Sequence, residues 1–250
     1  MDILYYIIIA FAGGIAGFLN VTAGGGSLLV LPILVFAGMD MSVANGTNRV
    51  AILCQNLVAM GKFKKEGLLS VRDALPFTIP AAIGSVAGSF LAVSLNEKML
   101  RSAIAALILV MAFLLIAKPK MWENQREQKV SGLVLGVVFF FLGLYGGFIQ
   151  AGVGFFMLWG LVGLAGMDLL HSNVVKVSII AFYTVISLAI FLFKGMVNFR
   201  VGFILALGNM AGGYLGAKFS IVKGNSWLRW VLAIVVTVSA LKMLIDVLFA

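Results

Sequence analysis

Ala37-Gly38-Met39-Asp40 and Ala165-Gly166-Met167-Asp168 are the same four residues, 128 positions apart. The register holds without gaps in both directions. Upstream, Ala23, Gly24 and Gly26 fall on Ala151, Gly152 and Gly154. Downstream, Asn45, Gly67, Arg72, Gly84, Gly88 and Arg101 fall on Asn173, Gly195, Arg200, Gly212, Gly216 and Arg229. Matches among Leu and Val would mean little in so apolar a chain. Matches at Asp, Asn and two Arg in one register mean an internal duplication. The first repeat is 1–117 and the second is 130–250. The linker 118–129 between them, from Lys118 to Lys129, is the most polar stretch.

Each repeat reads as five apolar runs. They fall near 3–22, 26–38, 43–61, 74–95 and 99–117, then 130–149, 153–166, 172–193, 201–222 and 227–249. Most are about 20 residues, enough to cross a hydrocarbon core of about 30 Å as helix. The runs at 26–38 and 153–166 are short for that. Continuous apolar runs without period-two alternation argue against strands. The fold class is therefore an all-α polytopic membrane protein of about ten helical segments in two five-segment repeats. An odd number of crossings per repeat inverts the second relative to the first. With the N-terminus outside, the inside carries Lys62, Lys64, Lys65, Arg72, Lys118, Lys120, Arg126, Lys129, Lys218, Lys223 and Arg229. The outside loops carry Lys98, Arg101, Lys194 and Arg200. That asymmetry follows the positive-inside rule. Eight spans with the two short runs re-entrant is the alternative, and charge alone barely separates the two.

Composition agrees. Of 250 residues, 62% are hydrophobic and 11% charged, with a mean hydropathy of +1.14. A soluble domain carries about 25% charged residues. A cytosolic enzyme, a nucleic-acid-binding domain and a disordered chain are excluded, and the bilayer is the expected solvent. The net charge of +9 belongs to topology rather than to a nucleic-acid partner. One cysteine (Cys54) and one histidine (His171) preclude an internal disulfide and a Cys/His metal cluster. No cofactor is expected. No phosphate-loop, zinc-protease or nucleophile-elbow motif is present, so no catalytic residue is assigned and no ATP hydrolysis expected. Only Asp2 precedes the first apolar run, which reads as a retained membrane segment rather than a signal peptide.

Two motifs carry the candidate site. The first is the polar-flanked glycine turn Asn20, Thr22, Gly24, Gly25, Gly26 and Ser27 ahead of the first short run; its partner is Gln150, Gly152 and Gly154. Glycines permit positive φ and close backbone approach. A helix beginning there offers unpaired N–H groups and a positive dipole end, which suit an anion. The second motif is Asn45, Thr47, Asn48 and Arg49, paired with Ser172, Asn173 and Lys176. A cation inside an apolar helix is costly and is a functional candidate; snorkelling to headgroups is its alternative. Gln55 and Asn56 could line a path or bond between helices. Gly84, Gly88, Gly212 and Gly216 read as helix-packing positions. Asp40 and Asp168 read as helix caps.

At these residues the chain resembles the TauE/SafE sulfite exporter family: Gly24-Gly25-Gly26-Ser27-Leu28-Leu29-Val30-Leu31-Pro32, then Ala44-Asn45-Gly46-Thr47-Asn48, repeated in weaker form. The resemblance covers the whole chain and implies a multi-pass permease of the cell (inner) membrane. Its implied substrate is a small anion such as sulfite, an organosulfonate or a related sulfur-containing anion. Val174-Val175 replaces Gly46-Thr47 in the second repeat, so the halves are expected to contribute unequally. An anion channel is the alternative reading. The expected partners are the substrate and the lipid bilayer, and a homo-oligomer is left open.

The charge asymmetry sets the first test. Single cysteines introduced after replacing Cys54 should label from outside at the N-terminus and only from the cytoplasm at 118–129. Cytoplasmic labelling of both would favour eight spans.

Overall fold

The computed structural model describes residues 3–100 and 130–248. Eight α-helices run in order: α1 Ile3–Thr22, α2 Ser27–Phe36, α3 Met41–Lys65, α4 Val71–Ser94, α5 Gly132–Phe148, α6 Val153–Trp159, α7 Leu169–Phe193 and α8 Phe199–Leu248. A π-helical turn, Gly160–Leu164, prolongs α6. No strand occurs among the described residues. The run read at 99–117 and the linker lie outside them, apart from a helical start at 97–100. The runs read at 201–222 and 227–249 join in α8 but are separated by Gly224, whose φ of 67° and ψ of −161° are not helical.

Among the described residues, three helical segments are long and apolar enough to cross a membrane: Leu4–Thr22, Val71–Ser94 and Leu169–Phe193. Ser27–Phe36, Gly132–Phe148 and Val153–Leu164 are shorter apolar helices. Large apolar side chains are exposed in stripes: Leu4, Ile7, Ile8, Phe11 and Ile15 on α1, and Leu75, Ile79 and Ile83 on α4. The buried interior holds Asn45, Thr47, Asn48, Arg49, Gln55 and Asn56 of α3, and Ser172, Asn173, Lys176, Ser178, Thr184 and Ser187 of α7. Apolar surface around a polar core reverses a soluble fold and suits a protein dissolved in lipid.

Direction follows from the glycines. Gly208 lies on Ala10, Gly212 on Gly14 and Gly216 on Phe18, so α8 runs parallel to α1. Gly84 lies on Phe140 and Gly88 on Leu144, so α4 runs parallel to α5. Gly46 near the start of α3 meets Phe191 and Met196 at the end of α7, while Phe63 near the end of α3 packs with Val174 at the start of α7. These two helices are antiparallel. Their bounds, 41–65 and 169–193, differ by 128 residues at both ends. Both are ended by a left-handed glycine, Gly67 or Gly195, with a six-residue turn behind it: the N–H of Leu68 bonds the carbonyl of Phe63, and that of Met196 the carbonyl of Phe191.

The caps divide. Asp168 accepts the N–H of His171 at 3.0 Å, as a cap should. Asp40 sits at the same place before α3 without a side-chain hydrogen bond. Glu97 takes over, accepting from Met41 N–H at 2.6 Å and Ser42 N–H at 3.4 Å. Cys54 packs on the apolar core.

A Cβ at Gly84 or Gly212 would overlap the backbone carbonyl of Phe140 or Gly14. Gly84→Ala and Gly212→Ala should each cost about 1–3 kcal/mol, as overpacking does. Gly216 leaves 3.0 Å to Phe18 O and should cost less. Gly61 faces nothing within 4 Å, so Gly61→Ala should be neutral or better. Melting curves in one detergent read the order.

Candidate functional site

The two interrupted helices bring the glycine turns together. Gly24 (φ 99°) and Gly152 (φ 73°) are left-handed, a conformation glycine adopts without a Cβ penalty. Gly24 and Gly154 meet backbone to backbone, with no room for a Cβ on either. Gly26 packs on the Ala16 carbonyl and therefore serves helix packing.

A small cleft lies at this meeting point. Asn20, Gly24 and Ser27 line it from the first turn, and Gln150, Val153 and Gly154 from the second. Ile52, Gln55 and Asn56 of α3 and Ile180 of α7 close its walls. Ile52 and Ile180 are themselves 128 residues apart. Asn20 organises the first turn: its Oδ1 accepts from Ser27 N–H at 3.2 Å and its Nδ2 donates to Gln55 Oε1 at 3.3 Å. Asn48 donates to Ser27 Oγ at 3.0 Å. Asn56 is buried, and its Nδ2 has no hydrogen-bond partner. A donor left unmet in a protein interior costs about 1–3 kcal/mol, so Asn56 is a candidate to meet a ligand.

Gln150 is left-handed at φ 64° without being glycine, a strained backbone held from outside. Its Oε1 accepts from Arg49 Nη1 at 3.0 Å and its Nε2 donates to Thr184 Oγ1 at 2.8 Å.

Arg49 and Lys176 do not line the cleft; they sit behind its turns. Arg49 Nη1 donates to Gly146 O at 3.2 Å, and Nη2 to Gly147 O at 2.6 Å and Asn45 Oδ1 at 3.3 Å. Asn45 Nδ2 donates to Phe148 O at 2.8 Å. The guanidinium also lies 4.4 Å from the Phe191 ring centre. Lys176 Nζ donates to Asn20 O at 3.1 Å and Val21 O at 2.9 Å. Neither cation pairs with a carboxylate, and no Asp or Glu is buried among the described residues.

The remaining sequence candidates lie apart from the cleft. Thr22 bonds back to Phe18 O, and Thr47 accepts the N–H of Asn198, tying the α7–α8 loop to α3. Asn173 donates to Ser220, and Ser172 Oγ is buried without a partner. Gly25 accepts from Leu28 N–H through its carbonyl. Sequence reasoning weighed Gln55 and Asn56 alike, and it passed over Ile52, Ile180 and Thr184. The 128-residue register was the available signal, since Thr184 stands opposite Asn56 in it.

A family model described as "Sulfite exporter TauE/SafE" matches residues 9–243. A "Probable membrane transporter protein" of Haemophilus influenzae is 30% identical over 239 residues, covering 94% of this chain and 92% of that one. "Probable membrane transporter protein ORF9" of a Sinorhizobium species is 28% identical, covering 98% and 96%. "Probable membrane transporter protein YfcA" of Escherichia coli K12 is 27% identical, covering 96% and 89%. No solved structure matches the chain significantly.

Gln150 yields a two-variant test. Gln150→Ala and Gln150→Gly both lose the bonds to Arg49 and Thr184. Only glycine relieves the left-handed strain, worth about 1–2 kcal/mol. Gln150→Gly should therefore melt above Gln150→Ala. Equal melting temperatures would mean the backbone there is unstrained.

Proposed function

Since the chain belongs to the TauE/SafE sulfite exporter family, whose relatives are membrane transporters, we propose that it is a secondary permease for a small anion. Sulfite, an organosulfonate or a related sulfur-containing organic anion is the substrate class. The observation that carries this reading is the charge of the buried interior. Arg49 and Lys176 are fully buried with no carboxylate paired to them among the described residues, and Gln150 links Arg49 directly to the cleft. Charges inside a membrane protein mark a substrate or ion path. Two cations without a counter-charge favour an anion as the species that enters.

The contact groups we assign are Asn20, Ser27, Gln55, Asn56 and Gln150, together with the N–H groups of the glycine turns. Within this set, Asn56 Nδ2 is a buried donor without a partner. Arg49 and Lys176 contribute charge from behind the turns.

The architecture proposed is two inverted five-segment repeats in a multi-pass protein of the inner membrane. The antiparallel course of α3 and α7, with bounds offset by 128 residues, supports it. So does the reciprocal packing of α1 on α8 and α5 on α4. His171 lies 3.3 Å from Asp73, which puts the starts of α7 and α4 on one face, as five crossings per repeat require. Transport would follow from rocking of the halves about the cleft. The contact of Gly24 with Gly154 favours a carrier over an open channel.

The test is thermal stabilisation of purified protein by sulfite, sulfoacetate, taurine, sulfate and carboxylates, followed by uptake into proteoliposomes. A ligand binding only the folded state raises stability by mass action. One of the sulfur anions should stabilise. Asn56→Leu should weaken that ligand about 10- to 100-fold, the worth of a charge-assisted hydrogen bond. Stabilisation by none of the panel, or unchanged binding in Asn56→Leu, would remove the assignment. Flux that fails to saturate would favour a channel.

A further inference from the structure

An α-helix leaves its last carbonyls without intrahelical donors. Inside a bilayer they must be met by protein. Both α1 and α5 end in the protein interior, immediately before a glycine turn. At the end of α1, Leu19 O takes the N–H groups of Ala23 and Gly24. The next two carbonyls, Asn20 O and Val21 O, take Lys176 from α7. At the end of α5, Tyr145 O takes the N–H of Ile149. The next three, Gly146 O, Gly147 O and Phe148 O, take Arg49 and Asn45 from α3. Cations also complement the negative dipole end of each helix. The pattern is crossed, because the half that holds a helix end is not the half that owns it.

The two cations reach this common role from different positions. Lys176 stands at the register of Asn48, and Arg49 at that of Val177. Sequence register alone would not make them equivalent.

We propose that Arg49 and Lys176 are positioning residues that assemble the cleft across the two halves, each holding the end of the helix that leads into the other half's glycine turn. They act on substrate through the turns and not by touching it. Each turn then takes its binding geometry only while the opposite half is docked. This rests on the assignment of the cleft as the substrate site for its transport consequence, but not for its structural one.

The experiment is hydrogen exchange read by mass spectrometry on the full chain in nanodiscs, without ligand. The variants are Lys176→Met, Lys176→Arg, Arg49→Met and Arg49→Lys. Lys176→Met should speed exchange at 19–27 by at least about tenfold and leave 145–154 near wild type. Arg49→Met should do the reverse. The conservative variants should keep part of the protection, and should carry the test if a methionine variant does not fold. Transport in each variant should show a raised KM, with Lys176→Arg and Arg49→Lys nearer to wild type. Unchanged exchange at both turns would overturn the proposal and return the cations to direct ligand contact. Equal loosening across the chain, with conservative and methionine variants alike, would overturn it as well. If no anion binds the wild-type protein, the transport reading fails while the exchange result stands on its own.

Discussion

Peptide groups cannot be left bare in an apolar interior, and this chain ends two helices in one. Continuous helices satisfy their own backbone across the hydrocarbon. Helices α1 and α5 end among packed side chains, turn at glycine, and restart as α2 and α6. Each stop leaves carbonyls without intrahelical donors. The surrounding helices answer with buried side chains, the largest of them cationic. Asn45 and Arg49 serve the end of α5, Lys176 serves the end of α1, and Asn20 and Asn48 hold the turn between α1 and α2. Part of the polar interior, including both of its cations, follows from the interrupted backbone.

The same demand shapes the electrostatics. Helix C-termini are negative ends, so the groups that satisfy them best are cations. Partial charges on carbonyls take up hydrogen bonds but do not cancel a full positive charge. The interior therefore keeps a positive bias behind a cleft lined by amides and a hydroxyl. A site of this kind offers an anion donors at short range and charge at longer range. An ion held by amides can leave again, whereas one clamped directly by Arg and Lys would be harder to release. That division suits a carrier.

Much of the fold was legible because lipid simplifies the code. Apolar runs gave the helices within a few residues, and Gly84, Gly88, Gly212 and Gly216 betrayed the packed faces by their spacing. The glycine turns were legible from Asn20 to Ser27 and from Gln150 to Gly154. The targets of Arg49 and Lys176 were not. A repeat register relates a residue to its equivalent in the other half, not to the helix end it touches across the interface. The tie from Glu97 to the start of α3 escaped for the same reason, since it spans 56 positions that no local pattern links. Asn56 was ambiguous because a polar residue in an apolar run looks alike whether it bonds a helix or waits for a ligand. Only the count of its partners separates the two.

The central claim is that an anion occupies the cleft beside the contact of the two glycine turns. The direct test is a crystal structure with a selenium- or bromine-bearing analogue of whichever anion stabilises the protein, phased to show its anomalous peak. The peak should lie among Asn20, Asn56 and Gln150, with Arg49 and Lys176 still bonded to the carbonyls at the ends of α5 and α1. A peak elsewhere with the cleft unfilled would contradict the account, as would an anion bound directly to both cations with those carbonyls released.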